Sequence, residues 1–121
     1  MAAALEMAVY GESARQSIAV VAGYLQEVLG QRMTALAAGV SDAKAVRQWA
    51  QGERVPHPGT EQRLRHAYQI VQLLVRSESS GTVRAWFMGM NPELEDNAPV
   101  LVIAEDPTRV MRAARAFLAN G

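Results

Sequence analysis

Lys44, Arg47, Gln48 and Gln51 recur at i, i+3, i+4 and i+7, the spacing that places side chains on one face of a helix. Two cations and two amides with no acid among them have a definite chemistry. The cations can pair with phosphates, and the amides and Arg47 can read base edges in a major groove. Arg54, just beyond, extends the basic face. Surface helices that bind nothing carry the same residue types, so the surrounding chain has to decide.

Other reactive side chains are few. His57 sits between Pro56 and Pro58, and His66 lies on the wet side of a helical stretch with no Asp or Glu at i±3 or i±4. A structural or surface role is expected for both. Glu93, Glu95 and Asp96 cluster, but the Asp-x-Asp-x-Asp-Gly order of a calcium loop is absent, so they read as a solvated acidic loop. There is no glycine-rich phosphate loop, serine nucleophile motif or metal-ligand spacing. No enzyme, metal or cofactor is indicated. Met88, Met90 and Met111 read first as core fillers, although methionine also recurs at adaptable partner surfaces.

The basic face belongs to a short helix. Ser41 is a candidate N-cap and Asp42 suits the positive first turn. Gly52 and Pro56 stop it, leaving about ten residues, three turns. Ala43, Val46, Trp49 and Ala50 form its apolar face, with Trp49 as a core anchor. A second short helix, Gln31 to Ala38, precedes it, with Met33, Leu36 and Ala37 inward and Gly39 as its stop. Gly39-Val40-Ser41 is a tight turn with Val40 plugging the gap. Two short helices joined by a glycine-containing turn are the helix-turn-helix signature.

Upstream, Met1 to Gly11 is Ala-rich and reads as a frayed terminus or as a docking or dimer-forming arm. Ser13-Ala14-Arg15-Gln16 matches a capping box, and Ile18, Val21, Ala22, Leu25, Val28 and Leu29 predict a helix ending at Gly30. Downstream, Thr60 is the expected cap of a long helix with the stripe Leu64, Ala67, Tyr68, Val71, Leu74, Val75. Ile70 and Leu73 broaden that stripe, so the helix is expected to be a central post buried on two sides. After the Ser77–Gly81 boundary, Val83, Trp86, Phe87 and Met90 can share one face of a helix ended by Asn91-Pro92. Pro99 to Ala104 has strand propensity but no strand to pair with, and reads as a short buried helix with Pro99 first. Asp106 caps the last helix, whose stripe is Val110, Met111, Ala114, Phe117 and Leu118. The chain is expected to be all-α, with an arm at 1–15, a helix-turn-helix part with the central helix at 16–77, and a helical part at 78–121.

The 121 residues are half hydrophobic, one fifth charged and formally neutral, which gives a real core and no global attraction to nucleic acid. Charge is segregated instead. Arg32 to Arg76 holds seven cations and three acids, while Glu78 to Asp106 holds six acids and one cation. The two regions are expected to meet different partners, or each other. The absence of cysteine fits a reducing cytoplasm. No basic n-region with an apolar run suggests a signal peptide, and no apolar run approaches a membrane span.

Val46-Arg47-Gln48-Trp49-Ala50-Gln51-Gly52-Glu53-Arg54-Val55-Pro56 resembles the R-x-W-x-x-G-x-x-x-P pattern of the Xre-like helix-turn-helix in the MbcA/ParS/Xre antitoxins. Ala85 to Leu94, then Asn97 to Val102, then the terminal helix to Gly121, resemble that family's toxin-binding domain in order and spacing. The resemblance covers about Gln16 to Gly121. It departs at Glu93-Leu94-Glu95-Asp96-Asn97, where the family has a small-residue or Gly-Arg loop. It implies an antitoxin that covers the substrate pocket of a RES-domain, NAD-consuming toxin, commonly dimerises and often helps to repress its own promoter. On that resemblance Lys44, Arg47, Gln48, Gln51 and Arg54 would meet DNA. Glu93, Glu95 and Asp96, or the Arg109 and Arg112 flank with Asn120 and Gly121, would meet the toxin, with Met88 beside them. A free-standing helix-turn-helix repressor and an adaptor without DNA binding are the rival readings.

Overall fold

The computed structural model describes residues 2–120 and leaves aside the side chains of residues 2 and 12–15. The helices are α1 (Ala2–Arg15), α2 (Ile18–Leu29), α3 (Gln31–Ala38), α4 (Lys44–Ala50), α5 (Pro58–Val75), α6 (Ser80–Met88), α7 (Pro99–Val102) and α8 (Pro107–Asn120). A 3-10 turn spans Pro92–Leu94. The fold is all-α. Among the described residues the only β feature is an isolated antiparallel bridge between Asn91 and Asn97.

α5 is the central post. It packs against α1, α2, α3, α6 and α8, and its Ile70, Leu73 and Leu74 are all buried, so two faces are covered. One continuous apolar core runs from Val21 in α2 to Ala114 in α8. Burying that surface is the main favourable term of folding. Tyr24, partly buried at its edge, meets the buried Tyr68 edge to face, with ring centroids 5.3 Å apart.

Glycine shapes the early turns. Gly30 takes φ 86, ψ 164 between α2 and α3 while its N–H donates to the Gln26 carbonyl. A side chain is strained at that conformation. Gly39 is left-handed at φ 75, ψ 26 and closes α3.

Several local expectations are corrected. Ser13 lies inside α1, and α2 begins at Ile18 with Ser17 as the cap; the Ser17 hydroxyl accepts from the Val20 amide at 3.2 Å. The arm is a full helix folded back on α5, with Val9 buried. Thr60 is buried within α5, because Pro58 opens that helix one turn earlier, where its fixed φ fits and its missing N–H costs nothing. Leu36 faces water, and Thr34, Ala35, Ala37 and Ala38 fill the α3 core face instead. Met90 does not share the α6 face: the helix stops at Met88, and Gly89 turns extended. Pro99 and Asp106 behave as expected, Asp106 Oδ1 accepting from the Arg109 amide at 3.1 Å.

Arginines tie the helices together over long separations. Arg84 Nη1 donates to the Val28 carbonyl at 3.0 Å, and Arg63 Nε to the Ala104 carbonyl at 3.2 Å. Arg65 Nη1 donates to the Gln16 carbonyl at 2.8 Å, and Arg115 Nη1 meets Glu6 Oε1 at 2.6 Å. Carbonyls at or near helix C-terminal ends lack backbone donors, and a guanidinium supplies one.

Candidate interaction surfaces

α4 is shorter than its pattern implied. Ser41 is not its cap. Asp42 Oδ1 accepts from the Lys44 amide at 2.9 Å, and the chain enters the helix at Lys44. Gly52, with φ 73, ends it, and the Glu53 amide returns to the Gln48 carbonyl at 2.9 Å. Two turns therefore stand on the core through Ala45, Val46 and Trp49. Ala43 and Ala50 are partly buried beside them.

Lys44, Arg47 and Gln51 point outward, as does Arg54. Gln48 is half-buried, and its Oε1 accepts from Arg54 Nη1 at 3.4 Å. Lys44 and Arg47 make no ion pair among the described residues, so their charges face solvent. Of the seven cations between residues 32 and 76, Arg63 and Arg65 are turned to internal carbonyls. Arg63 is exposed all the same, as are Arg32, Lys44, Arg47, Arg54 and Arg76. Asp42 and Glu53 bound the α4 face at its two ends and limit its positive charge.

Trp49 is buried as a core anchor, yet its Nε1 has no hydrogen-bond partner. A buried donor left unpaired carries a penalty.

The second surface lies on the tail. Asn91 is buried, and its Oδ1 accepts from the Glu93 amide at 3.0 Å. Glu95 and Asp96 both take left-handed backbone, φ 56 and 65, which is costly for residues with a Cβ. Arg109 braces this turn: its Nη2 meets Glu95 Oε1 at 3.1 Å and the Glu93 carbonyl at 3.4 Å. The acidic cluster and the Arg109 flank, read separately from sequence, are thus one unit. Glu93 and Asp96 keep carboxylates without a cation partner among the described residues. Arg112 and Asn120 are exposed on α8, and Gly121 lies outside the described residues.

Met88 and Met90 correct the core-filler reading, since they are 60% and 79% exposed. Met111 is half-buried. Beside Met90 an open groove of about 380 Å³ lies between Trp86 of α6, the 90–93 turn and α8, lined there by Ala116 and Phe117. Sequence reading missed it by placing Met90 on the inward face of α6. The signal was Gly89, one residue before it.

His66 lies on a partly covered face. It is half-buried in a cleft of about 270 Å³ with Gln69, Thr108 and Arg115, and burial lowers its pKa from 6.5. No carboxylate is hydrogen-bonded to it among the described residues. No group of three or more His, Cys, Asp or Glu among those residues could hold a metal ion. No described helix is long and apolar enough to cross a membrane. No family model, curated protein or solved structure matches this chain.

Proposed function

We propose that this chain is a cytoplasmic antitoxin. Residues 78–121 bind a RES-domain toxin and cover the pocket where it consumes NAD. α3 and α4 act as a helix-turn-helix that brings the protein, as a homodimer, to the promoter of its own operon. The chain itself has no catalytic role and needs no cofactor.

The observation that carries this reading is the pairing of Met88 and Met90, exposed, with the braced acidic turn at 93–96. Bulky apolar side chains left in water beside an ordered charged loop suit a partner surface. A pocket that takes a dinucleotide must accommodate its pyrophosphate and is expected to be basic. Glu93 and Asp96 would meet it with opposite charge, which speeds encounter and fixes orientation. The resemblance of residues 46–56 and 85–102 to the MbcA/ParS/Xre antitoxins supplies the partner class.

The test is NAD consumption by the RES-domain toxin of the same operon, titrated with this protein. Wild type should stop it at a defined stoichiometry. Replacing Glu93 and Asp96 with lysine should weaken inhibition by about tenfold or more. Inhibition indifferent to Met88→Asp, Met90→Asp and both lysine changes would sink the assignment.

A free-standing repressor is favoured by one observation, the outward, unpaired Lys44 and Arg47 on α4. Salt-dependent binding to upstream DNA by the protein alone, with no toxin inhibition, would select it.

A further inference from the structure

The groove between α6 and α8 is pre-formed. The Trp86 ring stands edge-on to Phe87 at 5.1 Å and lies 6.2 Å from Phe117, so its aromatic floor is fixed by packing. Ala113 and Ala116, one turn apart on α8, line it with side chains too small to fill it. Met90 and Glu93 line it as well. Glu95 is paired with Arg109, so the uncompensated charge on the groove is that of Glu93, with Asp96 further along the same turn.

An open trough between two helices, with no sheet edge among the described residues to extend, suits side chains from another helix rather than an added strand. Its anionic lining residue, Glu93, selects cations. Among the described residues, a second copy of this chain offers no free apolar helix face flanked by cations. The apolar faces of α4 and α8 are already in the core through Trp49 and Val110. α1 does expose Met7 and Tyr10, but the charged residues of that helix are Glu6, Glu12 and Arg15, a net negative set.

We propose that this groove receives a basic amphipathic helix of the partner protein, its apolar residues on Trp86, Ala116 and Phe117 and its Lys or Arg residues beside Glu93 and Asp96. The inference rests on the reading of residues 78–121 as partner-binding and adds what the partner presents.

Trp49→Phe leaves Trp86 as the only tryptophan of the full chain, since the sequence has two. The probe is a synthetic peptide of about 18 residues with Leu at i, i+4 and i+7 and Lys on the flank, compared with the same peptide carrying Glu for every Lys. The Lys peptide should shift Trp86 emission saturably, and the Glu peptide should bind about tenfold more weakly or worse. Ala116→Arg should remove the shift. Met90→Asp, at a position too exposed to unfold the chain, should weaken the Lys peptide as well.

Equal binding of the two peptides overturns the proposal, as does no saturation by either, or binding unchanged by both variants. Sedimentation of the free protein adds one more decisive outcome. A dimer that Met90→Asp dissociates would assign the groove to a second copy. Toxin inhibition separates the two levels. If wild type fails to inhibit the toxin, the antitoxin reading falls while the peptides still decide the groove. If Ala116→Arg inhibits as well as wild type, the groove falls and the antitoxin reading stands.

Discussion

Arg109 and Glu95 are partners across the tail: Nη2 of the guanidinium lies 3.1 Å from Oε1 of the carboxylate, at a residue whose own backbone is left-handed. The same nitrogen reaches the Glu93 carbonyl, so one side chain holds two points of a strained turn. Order in that turn matters for recognition, because a partner need not then supply the ordering free energy.

Arg109→Ala should therefore separate stability from binding. The ion pair is exposed, and such pairs contribute about 1 kcal/mol or less. Urea denaturation should register a loss of that size or smaller. Inhibition of the proposed toxin should fall by more, since the 93–96 turn loses its brace.

The cations divide into two functional classes. Lys44 and Arg47 face solvent without ion pairs, whereas Arg84 donates to the Val28 carbonyl. Each of Lys44→Ala and Arg47→Ala should reduce the salt slope of upstream-DNA binding by about one if it meets a phosphate. Arg84→Ala should leave that slope alone and cost about 1 kcal/mol of stability. Binding across a salt series, with denaturation of the same samples, checks both.

Much of this arrangement was legible in the chain itself. Ile70 and Leu73, added to a complete stripe, marked α5 as buried on two sides. Pro99 turned an apolar run with strand propensity into the first residue of a helix. What escaped has physical causes. The Arg63 and Arg84 contacts join residues 41 and 56 positions apart, which no local pattern encodes. Met90 fits the α6 period, but Gly89 leaves the helix before it, and periodicity cannot see a terminated helix. Glu93 and Arg109 looked like alternative contact sets because their meeting needs α8 to pack beside the 3-10 turn.

The two glycine turns should not be equivalent. Gly39→Ala must place its Cβ in left-handed backbone, 3.3 Å from Arg63 Nη1, a flexible side-chain end that can move. A cost of about 1–2 kcal/mol is expected. Gly30→Ala meets no atom, yet φ 86 with ψ 164 is a conformation essentially confined to glycine. Its cost should reach about 1–3 kcal/mol by strain alone. Chemical denaturation of both variants ranks them.

His66 should make stability pH-dependent. Burial lowers its folded pKa below the ordinary 6.5, so the native state favours the neutral ring. The stabilisation is complete above the unfolded pKa and is lost as pH falls from there through the folded value. Melting temperatures of wild type should drop more steeply than those of His66→Gln as pH falls below 6.5.

Trp49→Phe should be tolerated better than its burial suggests. It removes the unpaired Nε1 donor along with part of the ring. The expected loss is under about 1.5 kcal/mol, against about 3–5 kcal/mol for Trp49→Ala. Urea midpoints of the two variants decide this.

α5 belongs to both surfaces at once, since its buried stripe supports α3 on one side and α6 and α8 on the other. α3 and the tail are therefore expected to unfold together. A protease that cut at the Ser77–Gly81 boundary would strip α6 to α8 from the post that steadies α3, and a single cut would disturb both sides of the core. A partner seated on the tail would guard the opposite end of the molecule without touching it.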